Sequence, residues 1–462
     1  MSDAWSDAEP RPFWLDSPLA PEPADALHGP AECELAVVGG GFTGLWAALQ
    51  AKEQVPDRDV VLLEADLVAE GATGRNGGFA DASLTHGLAN GIDRFPDEIR
   101  VLERLGRENL AGIEDAIARH GIDCSWERPG YLTVATAEHQ VGALRDFVSV
   151  MREHGLDADW LDAGAVRAEV DSPTYLGGLL QRTEAALVDP ARLAWGLRRA
   201  CIDLGVRVYE RTPVRAMHEL ADGVQLSAPE GRLRAERVVL ATNGFPPLVP
   251  AVRRYVAPIY DYVLVTEPLG EARMRSVGWR TRRGLADAAN QFHYYRLTDD
   301  DRILWGGFDA IYHYGNAVAP ELEQRPATFD LLSRQFFETF PQLEGVRFTH
   351  RWGGVIDTCS RFCVMFDRTM GGRVAYAVGY TGLGVAASRF GARVALDLVD
   401  GRDTEATRLR FVRSKPLPFP PEPLRFAGIR MTIRELARAD RNGGRRSGYL
   451  RALDRLGLGF DS

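Results

Sequence analysis

One segment limits the possible fold more than any other. Residues 35–38, LAVV, are a short apolar run with the character of a buried parallel strand. Gly39-Gly40-Gly41-Phe42-Thr43-Gly44 follows as G-x-G-x-x-G, and residues 45–52 continue with helical character. A second apolar run, VVLLE, closes on Glu64, about 25 residues after Gly39 and near the spacing of a βαβ dinucleotide unit. Gly39 permits the tight turn, Gly41 lets the backbone approach a pyrophosphate, and Gly44 lets helix and strand pack closely. Phe42 and Thr43 sit where the helix N-terminus presents free N–H groups and a partial positive charge to phosphate. Glu64, followed by Ala65, can accept hydrogen bonds from ribose hydroxyls. A plain Gly-rich turn would need none of the flanking strand, helix and acid.

The motif alone does not separate FAD from NAD. Gly177-Gly178, Gly306-Gly307 and Gly353-Gly354 are bare pairs, so a second complete nucleotide unit is missing from the sequence. Three later segments fit a single FAD site built from distant parts of the chain. LVDP at 187–190 leads into a helix-like run, a strand at 206–209 and then Pro213-Val214-Arg215. RVVLA at 237–241 ends in Thr242-Asn243-Gly244. VAYAV at 374–378 ends in Gly379-Tyr380-Thr381-Gly382-Leu383-Gly384 before another helix-like run. Ligands of open α/β sheets bind outside such carboxyl ends, and the last turn aims a helix N-terminus at an anionic region, as a reduced flavin requires.

Composition narrows the partners. With 462 residues the chain exceeds the size at which one core stops growing, so two domains are expected. A net charge of −9 argues against nucleic acid, which needs a basic face. The five cysteines form no CxxC and no metal-ligand cluster, so no metal is expected and the thiols read as reduced. The acidic, proline-rich start is unlike a signal peptide, and the apolar stretch around Gly39 is broken by its glycines. No integral membrane span and a cytoplasmic location follow as expectations. Composition leaves a homo-oligomer open.

The ordered set FWLD, ELAVVGGGFTGLWAAL, VVLLEAD, GATGRNGGF, LVDPARL, VVLATNG, YYRLTDDDRILWGG, RWGGVIDT and VGYTGLGVAASRFGA resembles the D-amino-acid-oxidase-like FAD enzymes, within them the γ-glutamylputrescine oxidase branch. The resemblance implies an α/β fold: a Rossmann-like FAD-binding domain interleaved with a substrate domain on a large, mostly antiparallel sheet. We expect the FAD domain at 33–90, 160–246 and 349–402, the substrate domain at 91–159 and 247–348, and a C-terminal proline-rich connector with a helical extension at 403–462. It also implies oxidation of an amine by hydride transfer to flavin, then release and hydrolysis of an imine, with oxygen or an electron carrier as acceptor. In GATGRNGGF, Thr73, Gly74, Arg75, Asn76, Gly77 and Gly78 would line the flavin. Covalent relatives carry histidine where this chain has Arg75, so the FAD is expected to be non-covalent.

The substrate pocket should lie between the antiparallel sheet and the flavin, lined by aromatics. The candidates are Tyr260, Tyr262, His293, Tyr295, Trp305 and Trp352, with Arg75, His293 and Tyr260 nearest to catalysis. Amino-acid-oxidising relatives use an arginine fork for the substrate α-carboxylate. That position aligns with Val355 or Ile356, although Arg351 or Arg361 could compensate, and an amino-acid-oxidising enzyme of this fold could use Arg296 or Arg351. An apolar residue there points to an amine without an α-carboxylate, toward which Asp357 would act as a cation attractor or else cap a turn. An α-amino-acid oxidase or dehydrogenase of the same fold, and a non-catalytic flavin-binding scaffold, are the alternatives. The segment 95–120 reads as a solvated helix, and the arginine-studded segment 424–441 as a helix docked on the protein's own acidic body or on a second subunit.

Overall fold

The structure, a computed structural model, describes residues 4–458. Two large sheets dominate it, each with its own core. The first has eight strands, and four of its pairings are parallel: Val374–Val378 beside Gly231–Leu240, then Gly29–Val38, Val60–Leu63 and Arg207–Tyr209. Strand alternation sorts its side chains. Leu35 and Val37 pack under the helices Phe42–Gln54, Pro190–Asp203 and Gly384–Val399, while Ala36 and Val38 face Val224, Leu226 and Tyr376. The second sheet has nine strands, antiparallel except where Gly284–Asp287 meets Tyr131–Ala135. Its far face packs on Phe329, Leu332, Phe336 and Phe340 of and beside the helix Pro326–Thr339.

Parallel register brings the strand ends together. Val38 pairs with Leu240 and Leu63, and Leu240 with Tyr376, so the turns after residues 38, 63, 240 and 378 converge on one crevice. Local chemistry sets the helices that follow: Asp189 accepts from Arg192 N at 3.0 Å with Pro190 in the first turn.

Strand pairing moves two expected boundaries. Ala158–Asp162 and Gly177–Gln181 belong to the nine-stranded sheet, although 160–246 was expected with the cofactor layer. Phe348–Cys359 pairs along its length with Val256–Thr266 of the nine-stranded sheet and so bridges the layers. The helix Ile99–Arg119, expected to be solvated, buries Leu110, Ile113 and Ala116 in the core of the first layer, and Asn109 donates to Ala386 O at 2.8 Å. Its polar residues hid an apolar stripe at helical spacing. The helix Leu424–Arg441 does pack on the protein's own body, where Asp440 accepts from Asn290 and Gln291. The last four residues of the expected 403–462 extension lie outside the described residues. Among the described residues no helix is long and apolar enough to cross a membrane.

Candidate active site

The crevice is part of a continuous cavity of about 1650 Å³ that runs from the strand ends to the face of the nine-stranded sheet. Pockets that hold one small ligand measure roughly 300–1,000 Å³, so there is space for a dinucleotide and a second molecule.

The nucleotide end is shaped by missing side chains. Gly39 has φ +112°, and a Cβ there would sit 2.5 Å from Ala241 O. A Cβ on Gly44 would fall 1.8 Å from Gly39 O, which is the close packing of helix and strand expected of it. One on Gly41 would meet Thr73 Oγ1 at 2.9 Å. Glu64 accepts from Gly40 N at 2.5 Å and Asp66 N at 2.9 Å, and burial raises its carboxyl above the ordinary range. Gly39, Gly41, Phe42, Thr43, Glu64, Ala65, Thr73, Arg75, Asn76, Gly77, Val214, Thr242, Asn243, Thr381, Gly382, Leu383 and Gly384 all line the cavity. Gly44, Gly74, Gly78, Gly244 and Gly379, expected with them, stand behind the wall and let other backbone approach. This cradle of bare backbone with an acid at the second strand end fits FAD.

The loop GATGRNGGF is pinned from several sides. Asn76 Nδ2 donates to Ala72 O (3.1 Å) and Thr73 O (2.6 Å), and its Oδ1 accepts from Gly78 N at 2.8 Å. Trp14 Nε1 donates to Asn76 O and Trp352 Nε1 to Arg75 O, both at 2.9 Å. Arg296 donates to Gly78 O at 3.0 Å and Val188 O at 2.8 Å, and burial lowers its guanidinium to about 10. Arg75 reaches across the cavity wall to Glu323 at 2.5 Å, with its Nε on Glu70 O at 2.8 Å.

Opposite the loop, the sheet presents residues other than the aromatics expected. Tyr294, Gly306 and Val263 are cross-strand partners, so they share the face that Asp261 joins by alternation, and that face lines the cavity. Tyr294 lies in a slot between Gly77 and Gly306, where Cβ atoms would meet its ring at 2.7 and 2.6 Å. Its hydroxyl donates to Asp261 Oδ2 at 2.6 Å. Burial pushes the Asp261 carboxyl up to about 6, with the bonds from Tyr294 and from Tyr262 N holding it down.

Several expected site residues are therefore corrected. Tyr295 and Trp305 pair across strands on the opposite face, in a cluster with Trp279, Phe336 and Phe340. Tyr262 is on that face too and donates to Leu322 O at 2.7 Å. Tyr260 touches the wall but is fully buried, its hydroxyl engaged with both the N–H and the carbonyl of Ala319. Trp352 has the inward parity yet is sealed beneath Arg75 O. His293 is bonded to Asp287 (2.5 Å) and Gln335 (3.0 Å) and stacked on Trp305 at 4.4 Å, away from the cavity. Asp357 reaches the cavity edge, but its oxygens accept from Gly379 N (2.6 Å) and Tyr380 N (3.2 Å). It organises the turn before Gly384–Val399, and burial raises it to about 7. The missed residues, Asp261 and Tyr294, carried one sequence signal: an aspartate inside the apolar strand YVAPIYDYVLVT marks the face that meets something polar.

Another part of the wall comes from the helix Leu424–Arg441, whose Gly428, Ile429, Thr432 and Ile433 line the cavity.

Residues 34–398 match the family model described as FAD dependent oxidoreductase (DAO). The chain is 33% identical over 408 residues to the γ-glutamylputrescine oxidoreductase of Escherichia coli K12, covering 86% of this chain and 90% of that one. It is 28% identical over 387 residues to a probable oxidoreductase, OrdL, of Haemophilus influenzae, covering 80% and 83%. The fold is similar to the crystal structure of L-proline dehydrogenase from P. horikoshii, with TM-score 0.67, 17% identity and coverage of 81% and 95%.

Proposed function

The chain belongs to the DAO family of FAD-dependent oxidoreductases, and on that premise we propose that it oxidises a primary or secondary amine without an α-carboxylate. One observation carries the reading: Arg296, Arg351 and Arg361, the arginines that the sequence offers for a carboxylate, are each engaged elsewhere, and Arg215, which also lines the cavity, stands beside Val214 at the nucleotide end. Arg296 is committed to loop carbonyls, Arg351 lies over Trp5 at 4.9 Å and donates to Trp5 O, and Arg361 bonds the carbonyls of Cys363, Val364 and Ser414. Val355 and Ile356 line the cavity where the family's fork would stand. Arg75 is paired with Glu323, and Arg425, on the helix Leu424–Arg441, donates to Asn316 Oδ1 at 2.7 Å and to Pro420 O. The γ-glutamylputrescine oxidoreductase likeness points the same way.

FAD, when bound, accepts the hydride taken from the carbon that bears nitrogen. The protein's own share is to bind the amine, make it neutral and hold water for the hydrolysis. A protonated amine has no lone pair to expel hydride, and an apolar wall lowers its pKa by desolvation. Asp261, half-buried and raised to about 6, is suited to take that proton near neutral pH, with Tyr294 fixing the oxygen that receives it. Loss of hydride from the neutral amine leaves an iminium ion. Water adds to its carbon, and the products are a carbonyl compound and the smaller amine or ammonia.

The test is a substrate screen on purified holoenzyme under anaerobic conditions, read at the flavin absorbance band. Monoamines, diamines and γ-glutamylputrescine should bleach the band, while glycine, D-alanine and sarcosine should not. Bleaching by the amino acids alone would overturn the reading in favour of an amino-acid oxidase. A band that no compound bleaches would favour a non-catalytic scaffold.

A further inference from the structure

The cavity continues past Tyr294. Phe79 meets Tyr294 edge-on at 5.9 Å and Tyr131 at 5.8 Å, and beyond this pair the wall is formed by Asp81, Glu103 and Glu184, with Thr133 and Gln181 from the sheet. The three acids arrive from separate elements. Asp81 ends the strand Phe79–Asp81, Glu184 precedes its partner strand Ala185–Leu187, and Glu103 projects from the helix Ile99–Arg119. Their fields reach one another: Glu103 is raised chiefly by burial and then by Asp81 and Glu184, to about 7, and Asp81 is raised to about 6.

Two of the acids have local partners. Asp81 accepts from Ser83 N at 2.6 Å, and Glu184 from Thr183 Oγ1 at 3.2 Å. Glu103 is 6% exposed, faces the cavity, and has no hydrogen-bond or ion-pair partner among the described residues. The one cation whose field lowers it, Arg107, is exposed on the next turn and is the smallest influence on it. Burying an unpaired carboxylate is costly, so a carboxylate left in that condition needs a counter-charge from elsewhere. A metal ion does not suit the place, since no three His, Cys, Asp or Glu residues among those described are arranged to hold one. An alkylammonium group does suit it. It brings three N–H donors on one carbon stem and needs acceptors on several sides rather than a fixed coordination geometry. The Phe79 and Tyr131 rings would line the path of that stem.

We infer that this recess is a subsite for a second ammonium group, so that the enzyme selects substrates of the diamine or polyamine class, with Glu103 recognising the distal nitrogen. This rests on the amine reading above and adds a substrate class to it.

The experiment compares holoenzyme and Glu103→Gln on matched pairs, butylamine with 1,4-diaminobutane and hexylamine with 1,6-diaminohexane. Both flavin bleaching and isothermal calorimetry are followed. Wild type should favour the diamine of each pair, and Glu103→Gln should cut the diamine-to-monoamine ratio of kcat/KM by about tenfold or more, as loss of a charged hydrogen bond does. Calorimetry at pH 7 in two buffers of different ionisation enthalpy should show a proton released when the diamine binds to wild type and not to the variant. Glu184→Gln provides a second removal of charge if Glu103→Gln fails to fold. Equal ratios in wild type and both variants, with amines bleaching the flavin, would overturn the subsite alone. Amines that neither bleach the flavin nor bind would overturn the subsite together with the amine reading, while proton-releasing diamine binding without bleaching would keep the subsite and refute only the oxidation.

Discussion

Asp357 gives the sharpest test of how the site is built, because its two readings predict different failures. Its carboxylate accepts from Gly379 N at 2.6 Å and Tyr380 N at 3.2 Å while only 3% exposed. Replacing it with alanine leaves two buried N–H groups unsatisfied at about 1–3 kcal/mol each, so about 2–6 kcal/mol in all. At about 2.1 cal/mol/K of unfolding entropy per residue, a 462-residue chain that unfolds as one unit loses about 1 °C per kcal/mol. Tm should therefore fall by about 2–6 °C, and the turn that aims Gly384–Val399 at the cofactor should loosen, weakening FAD retention. Asparagine keeps one acceptor and resembles the protonated acid. Burial raises this carboxyl from 3.8 to about 7. Folding thus favours the neutral form, and the stability it contributes is present below pH 4 and is lost as pH rises toward 7. At 1.36 kcal/mol per unit that loss reaches about 4 kcal/mol. Asp357→Asn should match wild type near pH 4 and lack this part of the wild-type decline between pH 4 and 7. The assay is thermal unfolding across that range, with released FAD measured by fluorescence. An Asp357→Ala protein with unchanged Tm and FAD content but weakened amine binding would refute the turn-anchoring role and return Asp357 to the substrate.

Arg75→Ala should slow anaerobic flavin reduction by about tenfold or more while lowering Tm by only a few degrees, because it removes one half-buried ion pair and leaves Glu323 facing the cavity; stopped-flow reduction kinetics equal to wild type would count against it. Tyr294→Phe should lower kcat/KM and shift its acid limb by freeing the Asp261 oxygen, whereas Tyr295→Phe should act on stability through the Tyr175 hydroxyl, 2.8 Å away; pH–rate profiles and melting curves separate the two. Acid precipitation should leave the FAD in the supernatant, since residues 71–79 contain neither histidine nor cysteine; a yellow pellet would show a covalent link.

The nucleotide half was legible because its requirements are local. A parallel strand, a turn that rejects Cβ atoms, a helix N-terminus and a terminal acid occur within thirty residues or so, and each rejects most side chains for a reason visible in one dimension. Gly39 and Gly44 behave in three dimensions as their spacing implied. The boundaries between layers were less legible, because strand pairing decides them. Nothing in GGLLQ states that it will hydrogen-bond to YLTVA rather than continue the parallel sheet, and Phe348–Cys359 serves both layers at once.

The substrate wall failed for a different reason, and it is one of parity. In HYYRL the two tyrosines are equally aromatic, and which one faces the cavity depends on a register fixed far away, where Tyr294 meets Gly306 and Gly306 meets Val263. A slip of one residue exchanges every side chain between the faces. Large aromatics are the natural choice for a pocket, yet the helix Pro326–Thr339 offers its phenylalanines to the opposite face, and Tyr295, Trp305 and Tyr262 go there. The reliable cue was the polar exception. An aspartate survives inside an apolar central strand only where its face meets donors or solvent, so Asp261 set the parity of the whole sheet before any register was known. The same logic leads from Asp261, whose oxygens accept from Tyr294 and Tyr262 N, to Glu103, which faces the same cavity with no partner among the described residues and is for that reason the residue on which the proposed second ammonium site rests.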